Sequence, residues 1–478
     1  MSVEKPAKEE SKGAFPSFDP SKKPIAEILA EFCCGYRFED LPKETVEKVK
    51  HYVIDVIGCI VGAAKERQAE IVTDVIKTQG GNPLSSVFAQ GFKTSPMGAA
   101  FVNGTSGHIY DFDDDHREGT MHPSVAVFPA VFALGEQQKV SGKDLMRAFI
   151  LGLEVMIRTG ESFLGKTYYQ GFHPTGTCGV FGAAAGSSLI LGLDPTNTTY
   201  ALGLAGSFAA GTLEWAVEGS WQKPLQAGNP AMCGVLVACL AQQGFKGART
   251  ILEGPAGFIR AHSYKDTYDL TRLTADLGKK WEMMDTSIKI HSCCRFAGPL
   301  ADCALDLYRQ GVRGDNVEQV VVKASTWTMT ALTQPKEKKY RPQTHVDAQF
   351  SLPYVVAAAI SRNRVGVEEF KEKSFTDPQI LRIADKVFGE VDPEADAVYP
   401  KRYPATLVAT TKDGKTCTAH VDYPKGDPEN PASLVDIIDK FELLTEKYLD
   451  KARRGKIIEI VQGLEKHDDI SKLGDLLR

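Results

Sequence analysis

A helical hydrophobic pattern dominates the chain, and the place where it stops sets the architecture. From Pro24 to about Met284, apolar residues recur at steps of three and four, as in the segment that follows Pro42, which puts them on one face of a helix. The next part of the chain carries alternating, β-branched runs, VEQVVVKAST, PATLVATT and KTCTAHVDY, which are typical of strands. Amphipathic helix returns from Ala432 onward. The sequence therefore predicts a mainly α fold, with a large all-helical domain built from both chain ends and a smaller α+β lid domain.

Four segments follow from these changes of pattern. We expect a disordered N-terminal tail over residues 1–23, a helical domain over 24–284, the α+β lid domain over 285–424, and C-terminal helices over 425–478 that return to the helical domain. A chain of 478 residues exceeds the size at which one hydrophobic core stops growing, so two domains are expected. The tail mixes Lys, Glu, Ser and Pro and has no apolar run of the kind a secretory signal requires.

Composition narrows the class of protein. With 43% hydrophobic and 24% charged residues and a net charge of −5, the chain has neither the basic surface that nucleic acid requires nor one suited to an anionic membrane. Its most apolar runs, 148–157 and 231–241, are too short to span a bilayer. The ten cysteines are scattered without a C-x-x-C motif, so we expect reduced, buried thiols. A soluble, cytoplasmic protein with no nucleic-acid or membrane partner is the prediction.

Acidic and basic side chains are concentrated in the stretch HIYDFDDDHREGTMHPS, residues 108–124. The stretch follows a small-residue, apolar segment that predicts a buried helix, so the cluster is expected to reach an interior cleft. Its histidine before Pro123 is biased away from helical dihedrals, which suggests a ring fixed at a loop-to-helix junction. The titratable residues are Asp111, Asp113, Asp114, Asp115, His108, His116 and His122.

Other interpretations of this stretch stay open. The run Asp113 to Asp115 can be a solvated loop, and His122 can be a structural histidine. Carboxylates with histidines can also hold a divalent metal, although neither the H-E-x-x-H spacing nor that of an EF-hand loop is present.

Two further groups stand at the starts of predicted helices. His173 precedes a proline in GFHPTGTCG, and Lys223 lies in EGSWQKPLQAG, which is otherwise free of charge after its glutamate. Helix N-termini favour anionic ligands because their N–H groups are unpaired. The alternative for Lys223 is that its ammonium group reaches the surface while its stem is buried.

The predicted lid adds two more groups. The segment SIKIHSCCRF alternates and predicts a strand on which Lys289 and His291 share one face, with Arg295 following. The segment KKYRPQTHVDAQ offers Tyr340, together with an arginine and a histidine that can equally form a solvated basic loop.

Together these groups suit a small polyanionic substrate. Lysine and arginine hold carboxylates through charge-assisted hydrogen bonds, and histidine, aspartate or tyrosine can move protons. The chain has no Walker loop, no G-x-G-x-x-G after a predicted strand and no G-x-S-x-G. Chemistry by proton transfer is therefore favoured over chemistry that needs a nucleotide cofactor or a serine nucleophile.

Five motifs, in their order and spacing, resemble those of the MmgE/PrpD family: DFDDDH with MHPS, GFHPTGTCGVFGAAAGSSLILGLD, GSWQKPLQAG, LEGPAGF and FSLPYVVAAA. The resemblance covers nearly the whole chain after the tail. The family includes 2-methylcitrate dehydratase, cis-aconitate decarboxylase and iminodisuccinate epimerase. The resemblance implies a helical domain with an α+β lid, a site between them, a homodimer, and no metal or organic cofactor.

The resemblance also implies roles for single residues. His122 and His173 are the expected acid–base pair, with Asp111 orienting or tuning one of them. Tyr340 is placed as an auxiliary proton donor. The resemblance places Lys223 and Lys289 as substrate-binding residues, and from the residues themselves we expect Asp115 and Arg295 to bind substrate as well.

One position departs from the family pattern. Where the decarboxylase carries a threonine, this chain has Asp115, and the loop to His122 is one residue longer. An added negative charge disfavours a tricarboxylate unless Asp115 turns away or is protonated.

The first prediction from the resemblance is a hydro-lyase that removes a proton next to a carboxylate and dehydrates a 2-methylcitrate-like hydroxy acid. Within the family, the alternatives are an epimerase of an iminodisuccinate-like dicarboxylate and a cis-aconitate-type decarboxylase. From other classes, a metal-dependent hydrolase and a non-catalytic polycarboxylate-binding protein remain open.

Overall fold

A computed structural model describes Asp19 and residues 21–478, so most of the predicted tail lies outside the described residues. The helical part, called the body here, is formed by two sets of helices. The N-terminal set comprises α1 Ile25–Gly35, α2 Lys43–Ala63, α3 Arg67–Gln79, α4 Pro96–Gly107, α5 Ser124–Gln138, α6 Gly142–Glu161, α7 Lys166–Tyr169, α8 Pro174–Ile190, α9 Pro195–Ala205, α10 Glu214–Glu218, α11 Leu225–Gln242 and α12 Phe258–His262. Short strands β1 Ser85–Val87, β2 Phe92–Thr94, β3 Asp115–His116 and β4 Thr286–Ser287 accompany it.

The lid, here residues 293–424 of the predicted segment 285–424, contains a mixed sheet and shorter helices. The helices are α13 Gly298–Arg309, α14 Thr326–Thr333, α15 Lys336–Tyr340, α16 His345–Gln349, α17 Leu352–Arg362, α18 Glu372–Phe375, α19 Pro378–Ala384 and α20 Pro393–Val398. The strands are β5 Val317–Ala324, β6 Val387–Val391, β7 Ala405–Thr411 and β8 Thr416–Val421. The chain ends with α21 Leu434–Thr445, α22 Lys451–Gln462 and α23 Ser471–Leu477.

Helix α8 lies at the centre of the body and packs against α5, α6 and α11. Its small residues allow close approach, since a Cβ on Gly182 would lie 2.6 Å from the carbonyl oxygen of Gly152 in α6. Buried Glu154 in α6 has the partner its charge requires, because Arg158 Nε donates to it over 3.1 Å and the Met283 amide over 2.8 Å. The many Gly and Ala residues of α8 are thus explained by its close packing against neighbouring helices.

The lid has its own hydrophobic core, separate from that of the body. Its sheet has the strand order β6-β5-β7-β8, in which β5 pairs parallel with β6 and antiparallel with β7. The predicted strands PATLVATT and KTCTAHVDY are β7 and β8, which form an antiparallel hairpin with Val408 opposite Thr418. Helix α13 packs on this hairpin and on α17.

The C-terminal helices return to the body, where α21 packs against α2 and buries Ile437 and Phe441. The predicted helical domain built from both chain ends, with a smaller α+β part, is confirmed. Among the described residues, the structure has no helix whose length and apolar character would let it cross a membrane.

Two segments differ from the predictions. The run PQILRIADKVF has an apolar pattern typical of one helix, but α19 ends at Ala384 and Val387 begins strand β6, which pairs with β5 at the edge of the sheet. The run SIKIHSCCRF was predicted as a strand, but among the described residues only Ser287 of this run pairs with another strand, as the last residue of β4. The residues after Ser287 form isolated backbone hydrogen bonds instead of a strand ladder. One of these is the bond from the Ile288 amide to the Gly426 carbonyl (3.0 Å).

Candidate active site

Predicted residues from distant parts of the chain meet in one small cavity between the body and the lid. The cavity has a volume of about 60 Å³, and aromatic rings from both parts form its apolar wall. Among its lining residues are Asp111, Asp115, His122, His173, Lys223 and Arg295. Lys289 joins the group through its contact with Asp111.

Asp111 is the centre of the charge arrangement. Its Oδ1 lies 2.6 Å from Lys223 Nζ in an ion pair and accepts a hydrogen bond from Lys289 Nζ at 2.8 Å. Burial alone would raise the pKa of Asp111, but the two ammonium groups hold the pKa of this carboxyl well below its usual range. Asp111 also has a left-handed backbone, with φ of 49°. A carboxylate between two lysines shows where these cations can hold an anionic group.

The protonation pattern of His173 follows from its neighbours. Trp215 Nε1 can only donate, and it donates to Gln226 Oε1 over 3.2 Å. That oxygen also lies 2.7 Å from His173 Nδ1, so Nδ1 must carry the proton. His173 Nε2 then has the lone pair and accepts from Thr175 Oγ1 at 3.1 Å. Burial first, and then the neighbouring side chains of His108, Lys223 and His122, hold the pKa of His173 well below its usual range, so the ring is a neutral base.

His122 and His108 have the same arrangement of protons. His122 Nδ1 lies 2.9 Å from the carbonyl oxygen of Asp114, and His108 Nδ1 lies 2.8 Å from Asp113 Oδ2. Both Nδ1 atoms therefore donate, which leaves Nε2 as the basic nitrogen. The centroids of these two rings are 4.6 Å apart. Burial lowers the pKa of His108 to about 4, in spite of the Asp113 carboxylate.

Local structure fixes these side chains at helix starts. His122 precedes Pro123 and the start of α5, and the Ser124 amide donates to Asp114 Oδ1 over 3.1 Å. His173 is the N-cap residue of α8, whose first residue is Pro174. The predicted junctions are confirmed for both histidines, and the proline after each one sets the direction in which the helix leaves the site.

Asp115 and Arg295 form an ion pair across the cavity. Strand β3 pairs with β4, which places Asp115 opposite Ser287. Arg295 donates to Asp115 Oδ1, to Ser287 Oγ over 3.0 Å and to Asp427 Oδ1 over 2.9 Å. Burial would lower the pKa of Arg295, but the two aspartates raise it overall. The charge of Asp115 is therefore compensated within the protein, as the sequence could not show.

Lys440 in α21 connects three parts of the chain behind the cavity. Its Nζ lies 2.6 Å from Asp55 Oδ1 in α2. It also donates to the carbonyl oxygens of Phe112 (2.5 Å) and Lys289 (2.8 Å). Since Phe112 follows Asp111 directly, one ammonium group fixes the backbone beside both members of the Asp111–Lys289 pair.

Some lid residues from the sequence analysis lie elsewhere. Tyr340 does not line the cavity, and its hydroxyl donates to the Val387 carbonyl over 2.8 Å. The phenols that line the cavity are those of Tyr168 and Tyr403. Because the segment is not a strand, His291 does not share the direction of Lys289, and its Nε2 lies 2.8 Å from Asp302 Oδ1 in α13.

Sequence reasoning also missed residues that act through others. Gln226 and Lys440 carry no motif of their own, and only their contacts reveal them. His108 was named in the sequence analysis as part of the acidic stretch, three residues before Asp111, but no role was predicted for it.

The imidazoles also form a possible metal site. One ligand nitrogen each of His108, His122 and His173 lies within 4.8 Å of the others, and the Nδ1 bonds described above are of the kind that orient metal ligands. Against this, Lys223 and Lys289 beside Asp111 already supply two positive charges. The donor set, with a second group formed by Asp111, Asp113 and His122, thus permits a divalent ion, whereas Lys223 and Lys289 beside Asp111 oppose one.

The fold and this site together define a class: a helical body with an α+β lid and an acid–base cluster between them. The chain belongs to the MmgE/PrpD family, since profiles for the MmgE/PrpD N-terminal and C-terminal domains match residues 27–271 and 291–466. It is similar to the cis-aconitate decarboxylase of Mus musculus, with 29% identity over 95% of this chain and 94% of the relative. The human cis-aconitate decarboxylase is 29% identical over 95% of each chain, and that of Aspergillus terreus 27% identical over 96% of each.

Proposed function

We propose that the protein is a lyase for a small di- or tricarboxylate that moves a proton at the carbon next to a carboxylate. The observation that carries this proposal is the contact of Asp111 with both Lys223 and Lys289, beside the imidazoles of His122 and His173, which line the same cavity. A proton removed next to a carboxylate leaves negative charge on that carboxylate, and preorganised cations stabilise such charge as it develops.

In this proposal the lysines bind the substrate and the histidines transfer protons. A substrate carboxylate binds at the two ammonium groups that Asp111 holds in place. Nε2 of His122 lies 3.7 Å from Asp111 Oδ1, so this basic nitrogen is near the position of the bound carboxylate and can take the proton. His173, whose Nε2 is the acceptor for Thr175, serves as the second acid–base group. Asp111 positions cations rather than reacting itself.

We propose loss of water from a hydroxy acid as the net reaction, as for a 2-methylcitrate-like substrate. After proton removal, the electron pair forms a carbon–carbon double bond and the β-hydroxyl leaves as water with a proton from an acid in the site. Tyr168 and Tyr403 line the cavity and are candidates for that acid.

Loss of carbon dioxide is the second candidate. The similarity to cis-aconitate decarboxylases over nearly the whole chain supports it. An apolar wall supports it as well, because Trp215 and Phe350 lie against Lys223 in the cavity. A carboxylate desolvated by such a wall loses carbon dioxide more readily.

Proton NMR in D₂O with a panel of di- and tricarboxylates separates these outcomes. A new alkene from a hydroxy acid indicates dehydration, a product with one carboxylate fewer and one deuterium on carbon indicates decarboxylation, and deuterium exchange with inversion alone indicates epimerisation. Absence of both reaction and exchange with every acid that binds would contradict the proposal and favour a binding protein.

A further inference from the structure

Asp115 is a second carboxylate in the cavity, and the acid–base scheme above does not use it. It lines the same cavity as His122 and Lys223 and is 3% exposed. Its Oδ1 accepts from Arg295. Its Oδ2 has no hydrogen-bond partner among the residues that the structure describes. An unpaired buried acceptor is costly, so this oxygen marks a place where a bound molecule can supply a donor.

The surroundings of Asp115 leave it an acceptor. Arg295 is shared, because it also donates to Asp427 Oδ1 over 2.9 Å and to Ser287 Oγ over 3.0 Å. One guanidinium that faces two carboxylates stabilises their ionised forms, and Arg117, whose Nη1 lies 3.9 Å from Asp427 Oδ2, supports Asp427 from the other side. An ionised carboxylate accepts hydrogen bonds and cannot donate them.

This corner discriminates between groups of a bound acid. A second carboxylate placed against Asp115 would be repelled, and a methylene or alkene carbon would leave Oδ2 without a partner. A hydroxyl or an ammonium group would satisfy it, and Arg295 Nε, which also has no partner within the described chain, can donate to an oxygen nearby.

We infer that Asp115 recognises a hydrogen-bond donor on the substrate, so that the substrate is a small polycarboxylate bearing a hydroxyl or amino group. The inference rests on the proposed function in one respect: Lys223 and Lys289 hold the carboxylates, which leaves the donor for Asp115. It makes Asp115 and Arg295 the residues that determine which acids of this size bind.

Calorimetric titration with matched acids tests the inference, because each pair differs only in the donor. The pairs are succinate with malate, succinate with aspartate, and tricarballylate with citrate. Wild-type protein is expected to bind at least one donor-bearing acid about tenfold or more tightly than its partner without the donor, the effect of one charge-assisted hydrogen bond. For any acid that the protein turns over, the titration uses the His122→Ala variant.

Two variants of Asp115 then test whether this residue recognises the donor, and whether the donor is a hydroxyl or an ammonium group. Asp115→Ala is expected to weaken only the donor-bearing acid, so that the ratio falls toward one. Asp115→Asn keeps an acceptor oxygen without the charge, so it retains binding of a hydroxy acid and loses binding of an amino acid.

Three results would overturn the inference: a wild-type ratio near one for every pair, equal weakening of both members by Asp115→Ala, or tighter binding of only the donor-free acids. The wild-type comparison stands even if a variant fails to fold. Since these titrations report binding, and deuterium exchange reports chemistry, failure here is distinct from failure of the proposed lyase activity.

Discussion

Lys289 Nζ lies 2.8 Å from Asp111 Oδ1, although 178 positions of sequence separate the two residues. The aspartate belongs to the loop after α4 in the body, and the lysine to the irregular segment that leads into the lid. The contact therefore joins the body to the segment before the lid, and it gives Asp111 a second cation besides Lys223.

We expect Lys289→Met to lower kcat/KM for the substrate by about 10²-fold, because a charge-assisted hydrogen bond to the carboxylate is lost. Lys289→Arg should restore part of the activity. The matched control is Lys323→Met, since Lys323 is an exposed lysine on strand β5. A steady-state assay checks this, and similar losses in both methionine variants would contradict the assignment.

His122→Ala is expected to lower kcat by about 10²-fold or more, since it removes a group that transfers a proton. His420→Ala serves as the control because His420 lies on strand β8 with its side chain 53% exposed, away from the cavity. Both variants are measured with the acid that wild-type protein converts. Turnover by His122→Ala within a few-fold of wild type would remove this histidine from the mechanism.

Titration of the buried imidazoles is expected at unusually low pH. Burial lowers the pKa of His108 to about 4, whereas an unfolded histidine takes up its proton near pH 6.5. Below pH 6.5 the unfolded chain therefore binds more protons, so the contribution of His108 to the free energy of unfolding falls as the pH drops toward about 4. NMR of ¹³C-labelled histidine measures this directly, and a midpoint near 6.5 for His108 would contradict it.

Removing the Tyr340 hydroxyl is expected to leave kcat/KM within a few-fold of wild type, because this hydroxyl bonds Val387 outside the cavity. Tyr403→Phe should lower kcat/KM by about tenfold or more if its phenol serves as the acid, since general acids contribute at least that much. Kinetics of Tyr340→Phe and Tyr403→Phe are compared side by side. A large loss in Tyr340→Phe alone would return the proton-donor role to the residue that the family resemblance suggests.

Prolonged dialysis against a chelator is expected to leave full activity, because the cations that stabilise the proposed intermediate are lysines. The test is direct, since the His108, His122 and His173 cluster could hold a divalent ion. Activity and metal content are measured before and after dialysis. Loss of activity that added Zn²⁺ or Mn²⁺ restores would instead support the metal-dependent hydrolase.

Much of the site could be predicted because its residues lie in distinctive local sequences. His122 and His173 each precede a proline that begins a helix, and this local rule holds in the structure. The convergence of Lys223 and Lys289 on Asp111 was predictable only through the family motifs, because nothing in one segment shows which distant segment it will contact.

What the sequence did not reveal depends on tertiary contacts. Gln226 sets the proton position of His173 through one oxygen, and any glutamine near a helix start would look the same in sequence. The alternation around Lys289 predicted a strand, but within the part of the chain that the structure describes, strand pairing ends at Ser287. The segment around Lys289 is buried without belonging to a sheet, so its alternating pattern did not indicate a strand. The compensation of Asp115 by Arg295 likewise needed coordinates.

The bonds of Lys440 to the backbone at Phe112 and Lys289 have a consequence for synthesis of the protein. Both backbone segments leave the ribosome long before Lys440 does. A growing chain therefore contains Asp111 and Lys289 without the Lys440 ammonium group that fixes the backbone beside them. We expect such a chain to be inert toward the carboxylic acids around it until Lys440 has emerged and helix α21 has folded against the body.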